Sequence, residues 1–255
     1  MAHSAEEQVA RDFICFGDHD GVVVVCDATC LERNLNLVIQ TIEITDQVIV
    51  CVNLMDEAQR KGIHVDFPAI SQRLGVPVVP TMATQNKNGL DGLMEAVCTL
   101  SETEHTPLQV WYGKVIEDAI ALLEENLVHL PLKGLRPRWL ALRLLDPDET
   151  LQHSLTEYLG YDLAQELPVQ KGLEKAKAIL KENHVDSQIL RDRITGALVL
   201  TAEEICSGAI HYDQAAYDRR DRRIDRILTG KWTGFPVMLL LLAGVFWLTI
   251  TGANG

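Results

Sequence analysis

Apolar residues in the first hundred positions fall alternately into short continuous runs and into helical spacing. Gly21 to Asp27 and Val48 to Val52 are apolar on both faces, as expected of buried strands. Val76 to Pro80 is a third strand-like run. Between the first two, Leu35, Val38, Ile39 and Ile42 recur at helical spacing, behind a Thr29–Glu32 capping-box pattern. Asp66-Phe67-Pro68 opens another predicted helix that passes through Ile70 and Leu74 and stops at Gly75; Gly89 to Leu100 supplies a third. Strands separated by helices imply right-handed crossovers and a parallel sheet in an α/β fold. Only three strands are visible, so the sheet reads as incomplete.

After Pro107 the pattern is helical only. The spacing predicts helices over Trp111–Leu127, Pro137–Leu145, Leu151–Tyr158 and Leu167–Asn183. Asp146, ahead of Pro147 and Glu149, is placed to cap the third of these, and Thr201 with Glu204 forms another capping-box pattern. Tyr212 to Thr229 is basic and amphipathic, and from Trp232 to Gly255 there is no charged residue. A membrane-spanning helix needs about 20 consecutive apolar residues. With Arg219, Arg220, Arg222, Arg223, Arg226 and Lys231 before it, this segment predicts one transmembrane helix with its N-terminus on the cytoplasmic side.

Charge and cysteines narrow the function classes. A net charge of −13 argues against nucleic acid, whose binding rests on Lys and Arg displacing counterions. Cys26 and Cys51 sit in apolar runs as small hydrophobes, and no Cys or His pair stands beside Cys26 and Cys30 at a zinc spacing. Buried thiols in a reducing compartment are the expectation. The histidines are scattered, and Asp18-His19-Asp20 reads as a turn rather than a metal site.

The candidate chemistry lies at the end of the second strand. Asn53-Leu54-Met55-Asp56 follows the run 48–52 at its carboxyl end, where α/β sheets bind ligands. An Asp there can accept from the ring N–H and exocyclic amine of guanine while the Asn amide meets the opposite edge; equally, Asn and Asp can simply turn the chain and cap a helix. The loop after the next strand, Thr81-Met82-Ala83-Thr84, adds a small residue, Ala83, able to offer a backbone N–H to a guanine oxygen. No G-x-x-x-x-G-K-S/T phosphate loop occurs anywhere in the chain.

These stretches, with Glu6–Phe13, Asp27–Leu35, Arg138–Leu145 and Arg223–Thr229, resemble the ferrous iron transport protein B (FeoB) family of bacterial inner-membrane transporters with a G-protein domain. The resemblance implies that Asn53 and Asp56 contact guanine, that the Met55 stem covers one face of the ring, and that Ala83 donates to the guanine oxygen. Met82 stands where a small Ser or Thr is common in the family. It further implies a partial G domain over 1–104, carrying the C-terminal part of a P-loop GTPase-like sheet, a helical coupling domain over 105–211, a basic juxtamembrane helix over 212–231 and a membrane helix over 232–255. The family's phosphate loop, switch threonine and D-x-x-G are expected before Met1, and most of its membrane domain beyond Gly255. GTP or GDP is therefore expected to bind weakly or not at all, Mg²⁺ only with the N-terminal half, and no GTP turnover is expected from these residues alone. The expected partners are guanine nucleotide, the membrane and the remaining parts of the transporter or another subunit. The expected location is the bacterial inner membrane, with the soluble part cytoplasmic. The alternatives are a catalytically silent, membrane-anchored interaction protein and a non-functional gene fragment.

Overall fold

The computed structural model describes residues 5–83, 89–103 and 105–213, with helical positions scattered between 236 and 249. They fall into two compact units, one of residues 1–55 with 65–210 and one of 56–64 with 211–255.

Along the chain, α1 (Ala5–Phe16) precedes strand β1 (Val22–Asp27) and helix α2 (Leu31–Ile44). Strand β2 (Val48–Asn53) follows and leads into α3 (Met55–Arg60). The chain continues through β3 (Ile63–Val65), α4 (Phe67–Leu74), β4 (Val78–Pro80) and α5 (Leu90–Thr99). The three predicted strands form one parallel sheet in the order β1-β2-β4. β2 is central and almost wholly buried, which is why its sequence is apolar on both faces. The predicted inner face of α2 is the observed one: Leu35, Val38, Ile39 and Ile42 are buried. Asp66 caps α4 by accepting from the Ala69 N–H (3.1 Å), and Gly75 ends it in the left-handed conformation.

The helical part comprises α6 (Lys114–Leu127), α7 (Pro137–Leu145), α8 (Glu149–Leu159), α9 (Leu167–Glu182) and α10 (Ser187–Cys206). Its core is α6 packed on α7 and α9, with Ile116, Ile120, Leu123 and Leu127 buried. Gly172 allows the close approach of α9: a Cβ there would lie 2.9 Å from Asn126 Nδ2 and 3.3 Å from Leu123 Cδ2. α10 lies against α2 and α4, and α1 against α8.

Several expectations are corrected. Glu32 and Thr29 form no capping box; Asp27 accepts from the Thr29 N–H (2.7 Å) and nucleates a 3-10 turn that runs straight into α2. The helix expected from Trp111 begins at Lys114, because Gly113 (φ 91°) has a non-helical backbone. Asp148, not Asp146, caps α8, accepting from the N–H groups of Thr150 and Leu151. Asp146 closes α7 instead, buried and paired with Arg191 at 2.7 Å. Thr201 and Glu204 lie inside α10, whose N-cap is Asp186. The second unit holds most of a small two-stranded sheet of β3 and β5 (Ile210–Tyr212), which the sequence pattern did not suggest. Asp213 N–H donates to Gly62 O beside it (2.7 Å). Among the described residues no helix is long and apolar enough to cross a membrane. The predicted span at 232–255 and the basic stretch ahead of it lie for the most part outside the described residues.

Candidate functional site

The parallel register places Asn53 beside Asp27, and Val52 beside Pro80, so Asp27, Asn53 and Thr81 stand together at the carboxyl ends of the three strands. Thr81 is buried; its N–H donates to Val52 O (2.8 Å), and its hydroxyl lies 3.2 Å from Cys51 Sγ and 3.4 Å from Asn53 Oδ1. Ala83 N–H donates to the same Asn53 oxygen at 3.2 Å. One amide oxygen thus ties the loop after β2 to the loop after β4, and both base-reading segments expected from the sequence meet in space.

Between them, Leu54 adopts φ 61°, a conformation a branched side chain takes at a cost of roughly 1–3 kcal/mol. It is also 38% exposed, whereas Met55, expected to cover a base, is 8% exposed. The open apolar side chain of this loop is therefore Leu54. Thr81 and Leu54 are the site residues that sequence reasoning missed: a Thr after a strand carries no signal of its own, and a positive φ at Leu none at all. Met82 is half-buried and Ala83 exposed, while residues 84–88 lie outside the described residues. The chain returns at Gly89 (φ 90°), where a Cβ would fall 2.2 Å from Pro80 O and 2.9 Å from Thr81 Cα. Only glycine permits this approach.

Asp56 belongs to the second unit, in the first turn of α3, with its carboxylate 3.7 Å from Arg60 Nη2. Arg60 also reaches Glu57 (2.9 Å). Among the described residues no group of three or more His, Cys, Asp or Glu side chains is arranged to hold a metal ion. His19 hydrogen-bonds Ile14 O through Nε2 at 2.9 Å.

Two polar clusters tie the sheet region to the helices. On α1, Asp12 accepts from Ser154 Oγ of α8 (2.7 Å), while Arg11 reaches the Thr150 hydroxyl (3.2 Å) and Asp148 (3.6 Å). On α2, Glu43 accepts from the Tyr112 hydroxyl, and Arg136 donates to Ile42 O (2.7 Å). Arg138 grips Glu117 with two hydrogen bonds (2.7 and 2.9 Å) and Val110 O with another (2.8 Å). Burial pushes the Glu43 carboxyl up, against the lowering influence of Tyr112 and of Arg143, Arg138 and Arg136.

Residues 1–97 match the family described as ferrous iron transport protein B, and residues 112–211 match the FeoB cytosolic helical domain. The chain belongs to the ferrous iron transport protein B family. It is 29% identical over 247 residues to the Fe(2+) transporter FeoB of Salmonella typhimurium and 30% identical to that of Escherichia coli K12. These matches take in 97% of this chain but 30% of each transporter, so the chain spans less than a third of the FeoB relatives it matches. Among solved structures it resembles the GDP form of the T. maritima FeoB cytosolic domain, with TM-score 0.63 and 25% identity over 82% of this chain and 74% of that one. It also resembles a GDP-bound mutant of the S. thermophilus FeoB G-domain, with TM-score 0.66 and 26% identity over 82% of this chain and 76% of that one. The parallel sheet followed by helices is thus the P-loop GTPase-like sheet and helical domain of FeoB cytosolic domains.

Proposed function

We propose that this chain serves ferrous iron uptake across a bacterial inner membrane, as the guanine-reading part of a G domain joined to a helical coupling domain. Residues 232–255 form a membrane helix in this reading, and the rest faces the cytoplasm. Asn53 and Asp56 read the guanine edge, Ala83 N–H serves the guanine oxygen, and Met82 shapes the loop between. In this reading Met55 covers one face of the ring, and the more exposed Leu54 of the same loop is a second apolar side chain able to do so. The reading is carried by Asn53 Oδ1, which holds Thr81 and Ala83 at the carboxyl ends of neighbouring strands.

Guanine suits these residue types: a carboxylate such as that of Asp56 can accept two N–H groups, and the Ala83 N–H can donate to the base once its hydrogen bond to Asn53 is exchanged. Phosphate and Mg²⁺ supply most of the attraction to a nucleoside triphosphate, so binding by these residues is weak. The helical domain couples the site to the membrane, and the Asp12–Ser154 and Glu43–Tyr112 contacts support that role. The test is equilibrium binding of fluorescent GDP and ADP to the full chain. A preference for GDP that Asp56→Ala removes supports the reading, and equal binding of the two nucleotides overturns it.

A further inference from the structure

Strands β3 and β5 carry the same pattern, Ile63-His64-Val65 and Ile210-His211-Tyr212, and pair as a two-stranded ribbon. Asp213 N–H donates to Gly62 O (2.7 Å), and Asp66 N–H donates to Ala209 O (2.8 Å). One position rises as the other falls, so the ribbon is antiparallel, and His64 and His211 stand midway between the two bonds. They are therefore directly opposite in the hydrogen-bonded type of pair, whose Cα atoms lie about 5.5 Å apart. Residues so opposed share a face, with Cβ atoms about 4.5–5.5 Å apart. That face is open. Both histidines are exposed, whereas Ile63 is buried and Val65 and Ile210 are half-buried on the other face. Both histidines belong to the second unit.

We propose that His64 and His211 together chelate one divalent transition-metal cation. Metal–nitrogen bonds of about 2.0–2.1 Å put two ligating nitrogens roughly 3 Å apart. Two imidazoles on opposed Cβ atoms reach that separation by side-chain rotation alone. The backbone bonds of the ribbon fix the pair beforehand, so little chain entropy is lost on binding. Imidazole nitrogen suits first-row transition metals, whereas Mg²⁺ and Ca²⁺ take oxygen ligands. A net charge of −13 favours a cation over an anion. Among the described residues no third His, Cys, Asp or Glu completes the set. The remaining coordination positions are therefore open to water or another ligand, as in sites that exchange what they bind. Such a site suits an ion being passed on better than one held as a structural part. Fe²⁺ is the member of this class that the uptake reading above would bring here, and that choice rests on that reading; the chelating pair rests on the ribbon geometry alone.

The test titrates the full chain in detergent, without nucleotide, with Ni²⁺ and, under anaerobic reducing conditions, with Fe²⁺. Calorimetry follows binding, and the imidazole resonances report which histidines take part. One ion per chain is expected, with Ni²⁺ tighter than Fe²⁺ and the His64 and His211 resonances broadening together. His64→Gln and His211→Gln are each expected to weaken Ni²⁺ binding at least tenfold. The double variant is expected to lose little more than either, because one imidazole alone cannot chelate. His153→Gln, at an exposed position of α8, is expected to leave binding unchanged. Unchanged amide exchange across β3 and β5 in the variants shows that the ribbon still forms. Ni²⁺ binding that survives the double variant, or that excess Mg²⁺ displaces, overturns the proposal. So does loss of binding in only one of the two single variants. Failure of Fe²⁺ where Ni²⁺ binds counts against iron as the ion and leaves the chelating pair standing. GDP binding is measured separately, and its failure counts against the base site alone.

Discussion

Asn53 and Ala83 are thirty residues apart in sequence, and the Ala83 N–H donates to Asn53 Oδ1 at 3.2 Å. The same oxygen lies 3.4 Å from the buried Thr81 hydroxyl. Asn53→Ala removes the acceptor shared by both, releasing the loop after β4 and leaving Thr81 to its contacts with Cys51 and Val52. A loss of about 1–2 kcal/mol in urea unfolding is expected, with guanine binding abolished. Asn53→Asp keeps the acceptor oxygen and is expected to retain more of the stability than of the binding.

Gly89→Ala places a methyl group 2.2 Å from Pro80 O at a backbone φ of 90°. Backbone, not a flexible side chain, stands in the way. The substitution is expected to destabilise by roughly 1–3 kcal/mol and to displace the Ala83 N–H, seen as a shifted amide resonance.

The Glu43–Tyr112 contact sets a pH dependence. Burial raises the Glu43 carboxyl above its unfolded value, so its contribution to stability is full below the unfolded carboxylate range and is lost as pH rises through the folded value. Arg143, Arg138 and Arg136 oppose the shift. Glu43→Gln carries no titrating group, so its Tm is expected to fall less than that of wild type as pH rises above the unfolded carboxylate range. Tyr112→Phe strips Glu43 of its donor and is expected to cost about 1–3 kcal/mol, by urea unfolding.

Thiol reactivity is expected to divide sharply. Burial pushes Cys15 and Cys26 up to about 12 and Cys206 up to about 11, and Cys51 is buried, whereas Cys30 and Cys98 are exposed. A thiolate-specific reagent on the native protein should modify Cys30 and Cys98 first, and the other four only on unfolding. Peptide mapping after brief labelling checks this.

Ser154→Ala removes the hydroxyl that donates to Asp12 across the α1–α8 contact. A cost of about 0.5–1.5 kcal/mol is expected, with faster hydrogen exchange in α1.

Much of the sheet region was legible because its signals are local. An apolar run such as 48–52 can only be a buried strand in a chain of this pattern, and Asp66 and Gly75 carry their capping geometry within one helical turn. The helical part was less legible where two local signals competed. Asp146 and Asp148 are both placed to cap α8; the choice fell to Asp148 because Asp146 is held by Arg191, forty-five residues away. α10 was missed because it buries apolar residues against α2 and α4 while leaving Val199 and Leu200 exposed, which blurs its period. At the candidate site, the two loops could be picked out from residue type and spacing, but neither the positive φ of Leu54 nor the hydrogen bonds of Thr81 could.

By itself, the sequence determined the three strands of the parallel sheet, the limits of several helices and the family, since each depends on neighbouring residues or on their order along the chain. Tertiary structure alone decided that one Asn53 oxygen joins those loops, that Leu54 rather than Met55 is the open residue, and that Glu43 meets Tyr112. The physical reason is distance along the chain. Hydrogen bonds between residues 28 to 69 positions apart, and the burial of one neighbour rather than the next, exist only once strand register and helix packing bring their partners together.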